Sequence, residues 1–381
     1  MLKKVAIITL NGYFNYGNRL QNFALQEIIK QQGYDVETIL HHEAPLITNE
    51  NKMIRNIKRI CRLKNINLKE LKMKVSNKVS AKKRNFAVQS RIPEFKDFTQ
   101  KYIKETTEII SSDDIPEGLE SKYDYFVVGS DQVWNPNYQS HEKILPAIEY
   151  LTFAPKEKRL SYAASFGINK IPSNYIPRVK NGLNGMKSIL VREQVGAEIV
   201  QELTGRKAHL VLDPTMLLTR ERWLSIAEPN KNKPAKEFIL TYFLGEMSSK
   251  TTDLINSISK KYNFEIIHLE NYKDIDQYKA NPSNFIDYIN SASIFLTDSF
   301  HGVVFSIVLE TPFIVFKRKE IGPSMYSRIE TLLRTFNLES RQLELIREKP
   351  SEIMSLDFSE IREILVEERN KSLLLLKQSF I

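Results

Sequence analysis

The sequence predicts an α/β protein of two doubly wound, Rossmann-like domains with a basic helical insertion in the first. Three observations carry that expectation. Short apolar runs of strand composition alternate with helical segments, the signature of parallel sheets. The alternation pauses at a polar stretch, NKNKPAKE, and then restarts. The 381 residues, 42% of them apolar, suffice for two domains of ordinary size.

In chain order, the first series of predicted strands is VAIITL, DVETIL, YFVVGS, RLSYAAS, SILVRE and HLVLDP. The helical RERWLSIAE and the Lys-rich linker follow. The second series is FILTYFLG, FEIIHL, IFLTDS and FIVFKR. The final IREILVEERNKSLLLLKQSFI has apolar residues at helical spacing and reads as a helix closing back on the first domain. The expected boundaries are therefore 1–218, 219–358 and 359–381, with the insertion at about 51–110.

Charge is concentrated. Between Asn51 and Arg91 stand 14 Lys or Arg against the single acid Glu70, so this segment carries +13 of a total of +9 and the remainder is negative. Ile54, Ile57, Cys61, Leu68, Leu71 and Val75 recur there at roughly helical intervals, which makes it a basic amphipathic insertion. Two readings stand: a solvated helical face, or contact with an anionic membrane surface. Nucleic acid is disfavoured because aromatics for base stacking are scarce there. One cysteine, Cys61, excludes an internal disulfide framework and fits a reducing compartment. The apolar stretch near the N-terminus is too short for a secretory core or a membrane span. The expected location is the cytoplasm, including its membrane face.

The chemistry is expected at strand ends, where open α/β sheets bind ligands. In IFLTDSFHGVVFSIVLETPFIVF a buried strand runs into a polar turn, a helix from roughly Val303 to Glu310 and another strand. His301 in that turn, with Asp298 and Ser299 to orient it, is the candidate acid/base. The first strand leads into NGYFNYGNRLQNFALQ, where Gly12 and Gly17 relax the backbone and Asn18 is placed to cap the next helix. The GxGxxG spacing of a dinucleotide site is missing. GSDQVWNPNY offers Asp131, Trp134 and Asn135, a carboxylate, an indole and an amide that suit a sugar, although a Trp beside Asn-Pro equally suits a plug in a turn. Arg192 ends an apolar strand and fits a carboxylate or phosphate, or an internal ion pair with Glu193 or Asp213. Asp213-Pro214 itself reads as a strand terminator. Lys317, Arg318 and Arg328 add cations on the second domain. No metal-ligand spacing of the HExxH or CxxC kind occurs, so no metal is expected.

Taken in order, NYGNRLQNFALQ, GSDQVWNP, SYAASFG, VRE, LDPTMLL, TDSFHGVVFSIVLETPFI and SRIETLL resemble the polysaccharide pyruvyl transferase family, from about Val5 to Leu333. The resemblance implies a two-domain fold similar to the glycosyltransferase-B type and no cofactor. It implies phosphoenolpyruvate as donor and, as acceptor, a sugar of a cell-surface polymer or its lipid-linked precursor. By the same resemblance His301 is the acid/base, and Arg192 and Arg328, with Lys317 nearby, hold the donor. Asn18, Asp131, Trp134 and Asn135 then fall on the acceptor side. The rival expectation is a nucleotide-sugar-dependent glycosyltransferase of the same architecture.

Overall fold

The computed structural model describes residues 2–42, 68–138, 147–318, 326–347 and 350–381, with side chains of the helix at 68–102 described from residue 83 onward. The core of the basic segment, including Ile54, Ile57 and Cys61, lies outside the described residues, as do the side chains of Leu68, Leu71 and Val75.

Two parallel sheets organise the chain, as the alternation predicts. The first contains β1 (Lys4–Ile8), β2 (Asp35–His42), β3 (Glu105–Ser111), β4 (Tyr125–Asp131), β5 (Arg159–Ala164), β6 (Leu190–Val191) and β7 (His209–Leu210) in the order β3-β2-β1-β4-β5-β6-β7. The second contains β8 (Phe238–Tyr242), β9 (Glu265–His268), β10 (Ile294–Thr297) and β11 (Phe313–Val315) in the order β11-β10-β8-β9. The central strands β8 and β10 are buried at every residue, which is why their sequences are apolar without alternation.

One strand corrects the sequence reading. β3 falls inside the stretch expected to be a helical insertion. It is half exposed and pairs only with β2, so its sequence ETTEIIS carries the polar residues of a sheet edge rather than an apolar run. The helical part of the insertion is α2 (Leu68–Tyr102).

Helix α1 (Tyr16–Gln31) follows β1 and stops where Gly33 takes φ +89, with Tyr34 N–H donating to Ile29 O. α2 crosses to the second sheet through Arg91, which is 1% exposed. Its guanidinium donates to Tyr278 O, Leu269 O, Phe14 O and the Glu270 carboxylate, and lies 3.6 Å from the Tyr278 ring centroid. The last helix, α5 (Ser359–Ser379), returns to the first sheet. Ser372 Oγ accepts from Leu212 N, Ser379 Oγ pairs with Ser188 Oγ, and Phe380 O accepts from Tyr125 OH. Among the described residues no helix is long and apolar enough to cross a membrane.

Both strand orders reverse once, between β1 and β4 in the first sheet and between β8 and β10 in the second. Such reversals open a crevice at the carboxyl ends of the strands.

Candidate functional site

The two crevices meet in one cleft. It is open to solvent, spans ≈ 710 Å³, and takes Asn15 and Asp131 from the β1/β4 reversal and Leu244 and Asp298 from the β8/β10 reversal. Three helices also begin at it: α1 after its cap Asn15, α3 (Phe300–Leu309) after its cap Ser299, and α4 (Ser327–Thr335) after Tyr326. Helix N-termini present unpaired N–H groups and a partial positive charge, so their convergence favours an anion.

His301 lies on the first turn of α3. The sequence places it in a turn ending near Val303, but the helix starts three residues earlier because Ser299 Oγ accepts Gly302 N–H. Its imidazole reaches across to α1, where a Cβ built on Gly17 would stand 2.0 Å from Nδ1. Gly17 is thus required for close approach, not for an unusual backbone angle. Nε2 is sealed from solvent without a hydrogen-bond partner and sits 3.7 Å from Asp213 Oδ2.

Asp213, offered by the sequence as a strand end and as one ion-pair partner for Arg192, has a place beside His301 that sequence reasoning missed. Assigned to ending a strand, it caps the following turn through Thr215 N and Thr215 Oγ1. The same fully buried carboxylate accepts from Ser130 Oγ at 2.7 Å and Arg192 at 2.8 Å. Burial alone would raise its pKa, but His301, Arg192 and Thr215 outweigh burial and hold it far below the ordinary carboxylate range. A signal existed in the spacing of VRE and LDP on adjacent strands, each with its charge one residue beyond an apolar pair.

Arg192 is the centre of this network. Its guanidinium bridges Asp213 and Asp131, at 2.8 Å each, with Glu193 at 3.9 Å and the Phe300 ring centroid 4.2 Å away. It does not line the cleft. The expected donor contact is therefore corrected to an ion pair, because both faces of its fork are already occupied by buried carboxylates. Asp131 does line the cleft, with φ +68, a conformation that costs a non-glycine residue about 1–3 kcal/mol. Burial pushes its carboxyl up, yet Arg192, His301 and Arg328 prevail and hold it below its ordinary value.

Arg328 and Arg318 are the cleft's guanidinium groups. Burial, and then Arg192, push the Arg328 pKa down to about 10. An anion bound beside it would relieve that cost. Arg318 donates to the Asp298 carboxylate and the Asp298 carbonyl. Lys317 is exposed, with its ammonium 5.4 Å from the Tyr326 ring centroid, and is not part of the lining; its neighbour Arg318 takes the place expected for it.

Other expectations are corrected by hydrogen bonding. Asp298 does not orient His301: its oxygens accept from Leu244 N, Gly245 N and Arg318 Nε, fastening the loop after β8. Asn18 is not the cap of α1. Asn15 is, and Asn18 Oδ1 accepts from the buried Arg19. Trp134 is fully buried, stacked on Tyr150 with its indole N–H donating to Glu149 O, so it plugs the turn. Asn135 is 1% exposed, donating to Gln132 Oε1 and accepting from Asn137 N. Gln132 and Tyr138 from the same loop reach the cleft instead. Among the described residues no group of His, Cys, Asp and Glu could hold a metal ion.

The sequence profile of the polysaccharide pyruvyl transferase family matches residues 15–320 of the chain. No curated protein matches it. Among solved structures it is similar to Methanocaldococcus jannaschii UDP-GlcNAc 2-epimerase in complex with UDP-GlcNAc and UDP, with 13% identity over 96% of this chain and 99% of that one and a TM-score of 0.44. It is also similar to Arabidopsis thaliana UGT89C1 complexed with quercetin, with 9% identity over 100% of both chains and a TM-score of 0.45.

Proposed function

The chain belongs to the polysaccharide pyruvyl transferase family, and from that premise we propose that it forms a pyruvate ketal. The donor is phosphoenolpyruvate and the acceptor a sugar of a cell-surface polysaccharide or of its lipid-linked precursor. One observation carries the reading: His301 shares a cleft with Arg318, Arg328 and three helix N-termini. A donor with a carboxylate and a phosphate needs cations and N–H groups at both ends, and its enol phosphate needs a proton at C3.

His301 supplies that proton to C3 of the donor, turning the methylene into a methyl group, while the first acceptor hydroxyl adds at C2. The C2–O bond to phosphate then breaks, its electron pair leaving with the phosphate, and the second hydroxyl takes its place. Of the two hydroxyl protons, one restores His301 and the other leaves with phosphate. Because Nε2 is buried towards Asp213, 3.7 Å from its Oδ2, Nδ1 is the nitrogen left for the transfer.

Thermal shift tests the donor. Phosphoenolpyruvate at a hundred times its dissociation constant stabilises a binding protein by about 2.7 kcal/mol, so its addition raises the melting temperature. A shift with UDP-sugars and none with phosphoenolpyruvate would instead support a glycosyltransferase. In the same assay Arg328→Gln weakens phosphoenolpyruvate binding by about ten- to a hundredfold, the value of a hydrogen bond to a charged group. Unchanged affinity would remove Arg328 from the donor site.

Gly17→Ala places a methyl group where the His301 ring lies. The ring must move, and a displacement of about 1 Å costs on the order of a hundredfold in rate. The check is kcat of ketal formation alongside urea stability. Wild-type turnover in the folded variant would show that the contact with α1 does not set the position of His301.

A further inference from the structure

A second cleft opens on the other side of the loop after β8. It holds ≈ 750 Å³ of empty space at the carboxyl ends of β8 and β9, lined by Phe243, Met247, His268, Glu270, Asn271 and Tyr272, among others. The two clefts share that loop as a ridge: Leu244 lines the first, Gly245 and Met247 the second, and Asp298 fastens both Leu244 N and Gly245 N.

The chemistry of the two differs. In the second cleft Glu270 is already paired at 2.7 Å with Arg91, whose guanidinium is fully engaged in the contact between α2 and the second sheet. Among the described residues of the lining Lys273 is the single cation, and it is exposed. His268 adds a polar imidazole, its Nδ1 hydrogen-bonded at 2.6 Å to Thr241 Oγ1, which also lies 3.1 Å from Ile267 O. Asn271 Oδ1 takes the Lys273 N–H, which leaves its NH₂ as a donor. Phe243, Met247 and Tyr272 add apolar faces, and Met247 and Leu244 are 40% and 41% exposed on the ridge. An imidazole, an amide and aromatic faces without an uncommitted buried cation suit a neutral, hydroxyl-rich ring. They do not suit a phosphate.

We propose that this cleft is a second acceptor subsite, which holds a neutral sugar residue next to the one that reacts. The proposal rests on the acceptor being a glycan, so the enzyme would favour an acceptor of two or more sugars over a single one. The test uses the full chain on an immobilised panel of neutral mono- to tetrasaccharides, with Tyr272→Ala and Asn271→Ala as variants and a cooperative melting transition as the fold control. Binding to at least one di- or longer saccharide, about tenfold weaker in either folded variant, is expected. Failure to bind any neutral glycan, or equal binding by wild type and both folded variants, overturns the subsite. Phosphoenolpyruvate is tested on wild type in parallel. Glycan binding without a response to phosphoenolpyruvate would sink the donor assignment and leave the subsite standing.

Discussion

His301→Asn leaves the protein folded and lowers ketal formation by about 10²- to 10⁴-fold, the usual contribution of a positioned acid/base. The size of the effect follows from the surroundings. Among the described residues lining the cleft His301 is the one histidine, and those that carry charge are Asp131, Asp298, Arg318 and Arg328. The two carboxylates are committed to arginines, Asp131 to Arg192 and Asp298 to Arg318, and a guanidinium offers no acceptor to take a hydroxyl proton, so none of the four replaces it. The variant side chain is smaller than imidazole and polar, so contact with Gly17 is not forced and the melting temperature stays near that of wild type. Phosphate release and the methyl resonance of the ketal in proton NMR give the rate. Turnover within a few-fold of wild type in the folded variant would return His301 to a purely structural role.

Arg192→Met produces the largest loss of stability. Removing one member of a buried ion pair costs about 3–5 kcal/mol, because the remaining charge has no partner. Here two carboxylates, Asp131 and Asp213, lose a guanidinium that stands 2.8 Å from each. The pH dependence separates this cause from simple loss of packing. In the wild type both acids titrate below their ordinary values despite burial, Asp131 owing first to Arg192, and Asp213 owing first to His301 and then to Arg192. Their contribution is therefore complete above the unfolded carboxylate value of about 3.9 and is lost as the pH falls through the lower folded values. Without Arg192, burial of Asp131 loses its main opponent and Asp213 is left with His301 and Thr215 against burial, so both pKa values rise and the variant gains stability on protonation. The difference between the two proteins is largest near pH 7 and narrows towards pH 4. Urea unfolding at both pH values reads it. A gap below about 1 kcal/mol at neutral pH, or one that does not change with pH, would show that the network is not held by Arg192.

Much of the architecture was legible because it depends on local composition. Strands buried on both faces must be apolar throughout, so FILTY and IFLT announce themselves, as does the helix that closes the chain. β3 was hidden because an edge strand is wetted and its Thr and Glu residues match a surface helix as well as they match a strand. At the site, His301 and Arg328 could be singled out because each lies in a polar break between apolar elements. Arg318, the last residue of the predicted strand FIVFKR and beside Lys317, could not be preferred over it. Which of two adjacent cations turns into a cleft is set by the path of the loop, and that path is fixed by Asp298 through Leu244 and Gly245, more than fifty residues earlier.

The sequence by itself determined that two parallel sheets form, where their buried strands lie, and that polar residues gather at the strand ends, since hydrophobic burial and turn chemistry act over a few residues at a time. Only the tertiary structure decided which of those residues meet. Asp213 reaches His301 across 88 positions of sequence, Gly17 makes room for the same imidazole from the first helix, and Arg192 is drawn away from the cleft by two acids from different strands. Trp134, polar enough at one end to suggest a ligand, is taken into the core because Tyr150 and Glu149 cover its face and its N–H. The physical reason is common to all four: a side chain's role is set by the partners that neutralise or desolvate it, and those partners arrive from distant parts of the chain once the sheets have formed.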